Sequence, residues 1–375
     1  MATTATTATV PQKMRAVQIV EYNKPHENRT IDTPQPKDLR PHEILLKIAV
    51  PGLCHSDLEY LAGHMPTKLP VTGSHEGTGT VIATGSDMTS RFKPGNRVLA
   101  GMTFGRCGEC EICKGPENYR HYCRKRESMM SVERDGAFQE YLVVDGREST
   151  ILPDKMSFAT AAPLACAGMT SWRAILQCHL QPGQWIGIVG SGGGLGHLAV
   201  QMAKKAKGLN VVGIDARASG LELTRESGAD LVLDARKGVP AMVEEVQKAT
   251  GSTGVHASIV VSDHITAAPA ACAITAFHGR VVQVAVQDKV TISGTMDLIF
   301  KDLRLSGSFM ASQKETEEML YAVVEHGIKV ENNIFNGLDE VPKAVEMLKK
   351  AEYRGKACFI VDEDAVGLRP GDGYV

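Results

Sequence analysis

Three short segments, far apart in the chain, carry side chains that bind metal ions. They are Gly52-Leu53-Cys54-His55-Ser56-Asp57-Leu58, Gly73-Ser74-His75-Glu76-Gly77 and Cys166-Ala167-Gly168-Met169-Thr170. Cys54, His75 and Cys166 offer two thiolates and an imidazole. That is the donor set of a zinc site that keeps its fourth position open for water or substrate. A zinc so held acts as a Lewis acid on an alcohol or carbonyl oxygen. The spacing is too wide for one loop, so the fold must assemble the site. Each residue alone has a plainer reading, as a small buried thiol or a hydrogen-bonded histidine. Ser56 is the natural proton handle, because a hydroxyl beside a metal-activated alcohol can pass its proton outward.

A second cluster is local. Cys107, Cys110 and Cys113 are spaced by two residues each, and Cys123 follows. Such short, regular spacing lets one loop wrap a tetrahedral ion. An iron–sulfur run shares the two-residue gaps, but its fourth cysteine comes sooner and precedes a proline. Here Cys123 is followed by Arg124. The chain has nine cysteines and no recognisable secretory signal, so clustering favours metal over disulfides.

The third chemical feature is the turn Gly190-Ser191-Gly192-Gly193-Gly194-Leu195-Gly196, between a strand pattern and a helix pattern. Its glycines let the backbone approach a pyrophosphate at a helix N-terminus. The strict G-x-G-x-x-G register is broken, since Ser191 stands where the first glycine belongs. A glycine-rich loop alone is weak evidence. Asp215 strengthens it, because it ends the next strand 19 residues after Gly196. A carboxylate there accepts from ribose hydroxyls and repels a 2′-phosphate, which favours NAD over NADP. Arg217 argues weakly the other way.

The elements that must position these residues fall into two patterns. Residues 1–150 read as short strands punctuated by Gly and Pro: Arg15–Tyr22, Glu43–Val50, Gly79–Ala83, Arg97–Ala100 and Tyr141–Val144. From Pro182 strands and helices alternate: Gln184–Val189, the helical Leu195–Lys207, Asn210–Ile214, Asp230–Leu233, Ala257–Val261 and Arg280–Val286. That alternation predicts a doubly wound parallel sheet. Two helices, Lys314–Glu325 and Val341–Glu352, and a strand, Ala357–Val361, close the chain. A length of 375 residues suits two domains. The apolar fraction of 43% is that of an ordinary globular protein, and a net charge of −2 gives no case for nucleic acid or anionic membrane. No apolar run approaches the roughly 20 residues of a membrane span. The Thr/Ala-rich N-terminus, residues 1–12, reads as a disordered tail, and the cytoplasm is the expected setting.

From Met14 to Asp362 the chain resembles the zinc-dependent medium-chain alcohol dehydrogenases, most closely the yeast-type branch. The resemblance rests on all the motifs above. It implies a β-rich GroES-like catalytic domain over 1–167, a Rossmann domain over 168–311, and a return to the first domain over 312–375. It places the active site in the cleft and implies two zincs per chain, NAD(H), and an alcohol/aldehyde substrate. Asp57 takes the role of orienting the histidine ligand, Glu76 sits near the catalytic zinc as a transient ligand, and His55 contacts the cofactor pyrophosphate. Thr170 and Lys356 match positions near the nicotinamide and the pyrophosphate; Lys356 stands where the family usually has Arg, which removes bidentate pairing. The glycine-rich loop matches a variant that begins at Gly190.

Several positions depart from the family. The proton relay ends on a histidine eight residues after the first cysteine, where this chain has Ala62; His64 is the nearby substitute. The fourth structural cysteine falls eight residues after the third, where this chain has His121. Cys123, two residues on, is preferred because it keeps four thiolates. Met65 and Met102 replace the tryptophans of members that prefer ethanol, and methionine is slimmer and more adaptable. The resemblance therefore implies a pocket for larger alcohols and aldehydes, in a biosynthetic setting. The 43 residues from Cys123 to Cys166 leave no room for the insertion of dimeric relatives, which implies a homotetramer. A polyol or secondary-alcohol dehydrogenase is the alternative within the superfamily. A catalytically inactive nucleotide-binding sensor is the alternative of another class.

Overall fold

A computed structural model describes residues 10–286 and 295–365. The expected disordered tail lies mostly outside them. The chain divides into two compact units. The first contains the stretch through Ala165, then Ile334–Glu352 and the stretch from Ala357. The second contains Cys166–Asn333 and Tyr353–Lys356.

The first unit is built on a long strand, Glu43–Leu53, whose side chains are buried along almost their whole length. Burial on both faces suits its run of Ile, Leu and Val. Antiparallel to it on one side lies Glu76–Thr84, in a register that sets Gly52 opposite Glu76. On the other side, Tyr141–Asp145 pairs with residues 43–47 and Lys356–Ile360 with residues 52–53. The strand thus ends at Leu53 with neighbours on both sides. Its next residue, Cys54, is delivered to a fixed point and starts the helix His55–Ala62. Gly63, at φ +76°, ends that helix in a left-handed cap.

The second unit is a six-stranded, all-parallel sheet. Its strands in spatial order are Leu231–Asp234, Asn210–Asp215, Trp185–Val189, Val255–Val260, Thr275–Gln283 and Arg304–Gly307. In chain order this is third, second, first, fourth, fifth, sixth, the dinucleotide-binding order. The order reverses beside Trp185–Val189, and the carboxyl ends of strands at such a point form a ligand crevice. The core around Ile214, Val246, Val260 and Ala271 is closed by the helices Val239–Thr250 and Ala267–Ile274.

The sequence reading placed residues from 312 on in the first domain. In the structure the helix Gln313–Glu325 groups with the second unit instead. The reason is a buried ion pair. Arg173, on the helix Met169–Gln177, donates to Glu315 at 2.7 and 2.8 Å. Glu315 also accepts the backbone N–H of Ser312, completing a capping box. Breaking such a buried pair leaves an uncompensated charge, so the helix is held to its unit. The helix expected over Leu195–Lys207 runs as Gly196–Gln201 and then widens into a π-helical turn, Met202–Ala206.

Candidate metal centres and nucleotide site

Cys54 sits at the N-cap of the helix His55–Ala62, and Asp57, three residues on, reaches back to it. One Asp57 oxygen accepts the Cys54 N–H at 2.9 Å; the other accepts the Ser74 N–H at 3.1 Å. Asp57 thereby ties both ligand-bearing loops together. Its distance to His75 Nδ1 is 3.9 Å, too long for a hydrogen bond. It therefore acts on the imidazole through charge, while its hydrogen bonds hold backbone. Ser74 adopts a left-handed φ of +68°. Its hydroxyl donates to Gly52 O at 2.7 Å and accepts from Glu76 N at 3.2 Å, which holds this costly conformation. Gly52 has its own reason: a Cβ there would lie 2.3 Å from Glu76 Oε2. Only glycine lets the Glu76 carboxylate fold over the strand.

Cys166 immediately follows Ala165, the last residue of this stretch of the first unit, and sits within the π-helical turn Leu164–Gly168. Cys54, His75, Glu76 and Cys166 each place one ligand atom within 4.8 Å of all the others. Burial opposes protonation of His75. The partners Cys54, Asp57 and Glu76 outweigh it and lift the imidazole to about 9. A buried pocket that binds a proton this tightly is a pocket that attracts a cation. The donor set of two sulfurs, an imidazole and a carboxylate fits zinc.

Ser56 Oγ lies 3.9 Å from Cys54 Sγ. His55 is exposed, with its Nε2 3.6 Å from Glu59. Ala62 presents no titratable group, but His64 Nδ1 lies 2.9 Å from Glu59 Oε2 at the end of the same helix. Sequence reading missed Glu59, and also Tyr60, whose buried ring meets His75 edge-on at 5.9 Å. The i, i+4 spacing of Glu59 to His55 was the available signal for the first, and no local spacing marks Tyr60.

The second cluster brings together Cys107, Cys110, Cys113 and Cys123. The sulfur separations are 3.9 Å for Cys107–Cys113, 3.9 Å for Cys110–Cys123 and 3.7 Å for Cys107–Cys123. Four sulfurs about 2.3 Å from a central zinc form a tetrahedron with edges of about 3.8 Å. The three separations match such edges. His121 lies outside the cluster, buried with its ring against Tyr122 at 4.3 Å. The backbone N–H groups of Glu109 and Cys110 bring the Cys107 thiol down to about 6, toward the thiolate a metal requires. Arg106–Glu148 at 3.0 Å and Arg40–Glu127 at 2.5 Å pin the lobe to the sheet.

In the second unit the turn after Trp185–Val189 is packed so that Cβ atoms cannot enter. Gly190 has φ +94°. A Cβ on Gly192 would lie 2.1 Å from Gly220 O, and one on Gly196 would lie 2.1 Å from Gly190 O. Ser191 is fully buried and bonds Thr224 at 2.8 Å, so its side chain points away from the turn's open side. Asp215 ends the neighbouring strand. It accepts from Gly192 N at 3.0 Å, Ala216 N at 2.8 Å and Arg217 N at 3.0 Å. Arg217 Nε lies 3.6 Å from Asp215. The stem of buried Lys356 lies against Gly194. Thr170 is buried on the helix Met169–Gln177, where its neighbour Ser171 donates to Leu195 O at 3.0 Å. Ser171 was not anticipated.

The two methionines differ. Met65 is 39% exposed beyond the helix end, whereas Met102 is buried next to the strand Arg97–Leu99. Among the described residues no helix is long and apolar enough to cross a membrane.

Comparison with known proteins follows the same division. Residues 40–154 match the alcohol dehydrogenase GroES-like domain, and residues 194–325 match the zinc-binding dehydrogenase family. An alcohol dehydrogenase of Schizosaccharomyces pombe is 37% identical over 256 residues, 68% of this chain and 71% of that protein. An alcohol dehydrogenase of Geobacillus stearothermophilus is 30% identical over 352 residues, 93% of this chain and 100% of that protein. The crystal structure of the alcohol dehydrogenase from Aeropyrum pernix superposes with a TM-score of 0.82 at 28% identity, covering 92% of this chain and 99% of that one.

Proposed function

This chain belongs to the zinc-dependent medium-chain alcohol dehydrogenase family, and on that premise we propose that it moves a hydride between NAD(H) and an alcohol/aldehyde pair larger than ethanol. The observation that carries the reading is the convergence of Cys54, His75, Glu76 and Cys166 ligand atoms within 4.8 Å. Cys54, His75 and Cys166 hold the catalytic zinc, with Glu76 beside it. The four-cysteine lobe holds a second, structural zinc. Bound zinc polarises the substrate oxygen, and the nicotinamide ring accepts or supplies the hydride.

The chain's own residues do the rest. Asp57 fixes the loops bearing Cys54 and His75 relative to one another. Ser56 takes the substrate's hydroxyl proton, and the Glu59–His64 pair at the end of the same helix offers its outlet to solvent. Asp215 selects the unphosphorylated ribose of NAD. Thr170 and Lys356, both of the second unit, belong to the cofactor site. The yeast-type branch, a homotetramer and a cytoplasmic setting are the accompanying reading.

Met102 supports the wider pocket, because methionine leaves room that indole would fill. Met65, partly exposed, contributes less. NADH oxidation across aldehydes from acetaldehyde to bulky aromatics tests this, with ketoses and other ketones alongside. Catalytic efficiency rising with aldehyde size is the expected result, and Met102→Trp should reverse it. A steady fall from acetaldehyde upward rules out the larger pocket, and turnover confined to ketoses makes the enzyme a polyol dehydrogenase.

A further inference from the structure

One buried titratable group has no part in the reaction above. His197, in the first turn of the helix after the glycine-rich loop, is 0% exposed. Both its ring nitrogens are engaged. Nδ1 lies 2.9 Å from Gly193 O, and Nε2 accepts the Glu331 N–H at 3.1 Å. A carbonyl can only accept and an N–H can only donate, so the neutral Nδ1–H tautomer is fixed. Burial holds the imidazole down to about 4, so this tautomer persists throughout the neutral range.

The chain of bonds continues. Glu331 O accepts the Lys356 N–H at 2.8 Å. Lys356 in turn lays its stem against Gly194, the residue next to Gly193. The circuit therefore starts and ends on the glycine-rich turn. Gly355, at φ +75°, belongs to it: a Cβ there would lie 2.2 Å from Glu331 O. One helical turn on, Gln201 repeats the arrangement. Its Oε1 accepts the Lys329 N–H at 2.9 Å and its Nε2 donates to Lys329 O at 2.7 Å. Residues 329 and 331 are two apart, the period of an extended segment. Two buried side chains on a helix thus serve as a surrogate strand for 329–331.

We propose that His197 is a positioning residue for the cofactor: through the Glu331 backbone it registers Lys356 against the Gly190–Gly196 turn, so that the cation and the turn's N–H groups meet the same pyrophosphate. This rests on the reading of that turn as the dinucleotide site. A lysine is a point charge on a flexible stem, so its value to an anion depends on where its backbone is held.

Calorimetric titration separates the role from general structure. ADP-ribose carries the pyrophosphate and adenosine does not. His197→Leu is expected to weaken ADP-ribose by about tenfold, the size of one charge-assisted contact, and to leave adenosine within about twofold. His197→Asn keeps the bond to Gly193 and drops the one to Glu331. It should behave like His197→Leu, and it serves if that variant does not fold. His197→Gln, long enough to accept from Glu331, should recover most of the affinity. Lys356→Ala and its double variant with His197→Asn should bind ADP-ribose equally weakly. Unchanged ADP-ribose affinity in His197→Asn overturns the proposal, as does a double variant weaker than Lys356→Ala by the full factor. Wild-type protein that binds adenosine but gains nothing from ADP-ribose sinks the dinucleotide-site reading itself.

Discussion

The Asp57 carboxylate accepts the backbone N–H of Cys54 at 2.9 Å, and this bond couples the helix N-terminus to the candidate catalytic metal centre. Its second oxygen does the same for Ser74, one residue before His75. Burial raises the Asp57 pKa and proximity to His75 opposes that rise. A buried carboxylate at this point sets ligand geometry through the main chain.

Asp57→Asn keeps one acceptor and turns the other into a donor facing an N–H. One of the two loops must come loose. Zinc affinity, measured by competition with a chelator, is expected to fall by about 10–100-fold, as for other residues that support ligands. Unchanged affinity would mean that the loops hold themselves.

Cys123 and His121 make opposite predictions at the structural site. Cys123→Ser removes one of four sulfurs spaced for zinc, so metal analysis should show loss of that ion and melting at a lower temperature. His121→Ala should keep its zinc. The reverse pattern would give the fourth ligand to the histidine.

Much of the candidate site was legible because residues suited to bind a metal are recognised by side-chain type and spacing. The four cysteines and the Cys54 and His75 motifs are of that kind, and Asp215 stood out in the same way, by its type and its distance from the glycine-rich turn. The parallel sheet was legible from the alternation of strands and helices after Pro182. Roles played by or on backbone were not. Nothing in the sequence says that Asp57 binds two N–H groups, since any Asp at N3 of a helix looks the same. His197 and Gln201 carry no such signal, and only the fold brings residues 329–331 against them. The placement of Gln313–Glu325 failed for a similar reason. Its place in the first domain was what the resemblance implied, and the Arg173–Glu315 pair that ties it to the second unit joins residues 142 apart in sequence.

Asp215 should control cofactor choice. Its replacement by Ser removes an acceptor for the ribose of NAD and a charge that repels a 2′-phosphate, and leaves Arg217 nearby. The ratio of kcat/KM for NAD over NADP should fall by on the order of a hundredfold. A ratio that stays constant would place the ribose elsewhere.

His26 makes stability depend on pH. It is buried against Phe138, and neither ring nitrogen has a hydrogen-bond partner. Burial, helped by the Lys349 charge, lowers it from 6.5 to about 4. The unfolded chain therefore binds a proton that the folded chain refuses. Stability is fully present above pH 6.5 and is lost as pH falls toward about 4, by about 1.4 kcal/mol per pH unit for this group. His26→Phe keeps the ring and removes the proton. Its stability relative to wild type should rise with that slope in denaturant titrations between pH 6 and 4.5 and stay level above pH 7. Parallel curves for the two proteins would show that His26 is not buried in its neutral form.

Zinc stoichiometry, with NADH oxidation on the same samples, tests the central claim most directly. The wild-type chain should carry two zincs and reduce an aldehyde. Cys166→Ser should carry close to one, keep the four-cysteine zinc and lose turnover, because the catalytic centre alone depends on that sulfur. A wild-type chain with a single zinc, or a Cys166→Ser variant that keeps both zincs and full activity, would contradict the assignment.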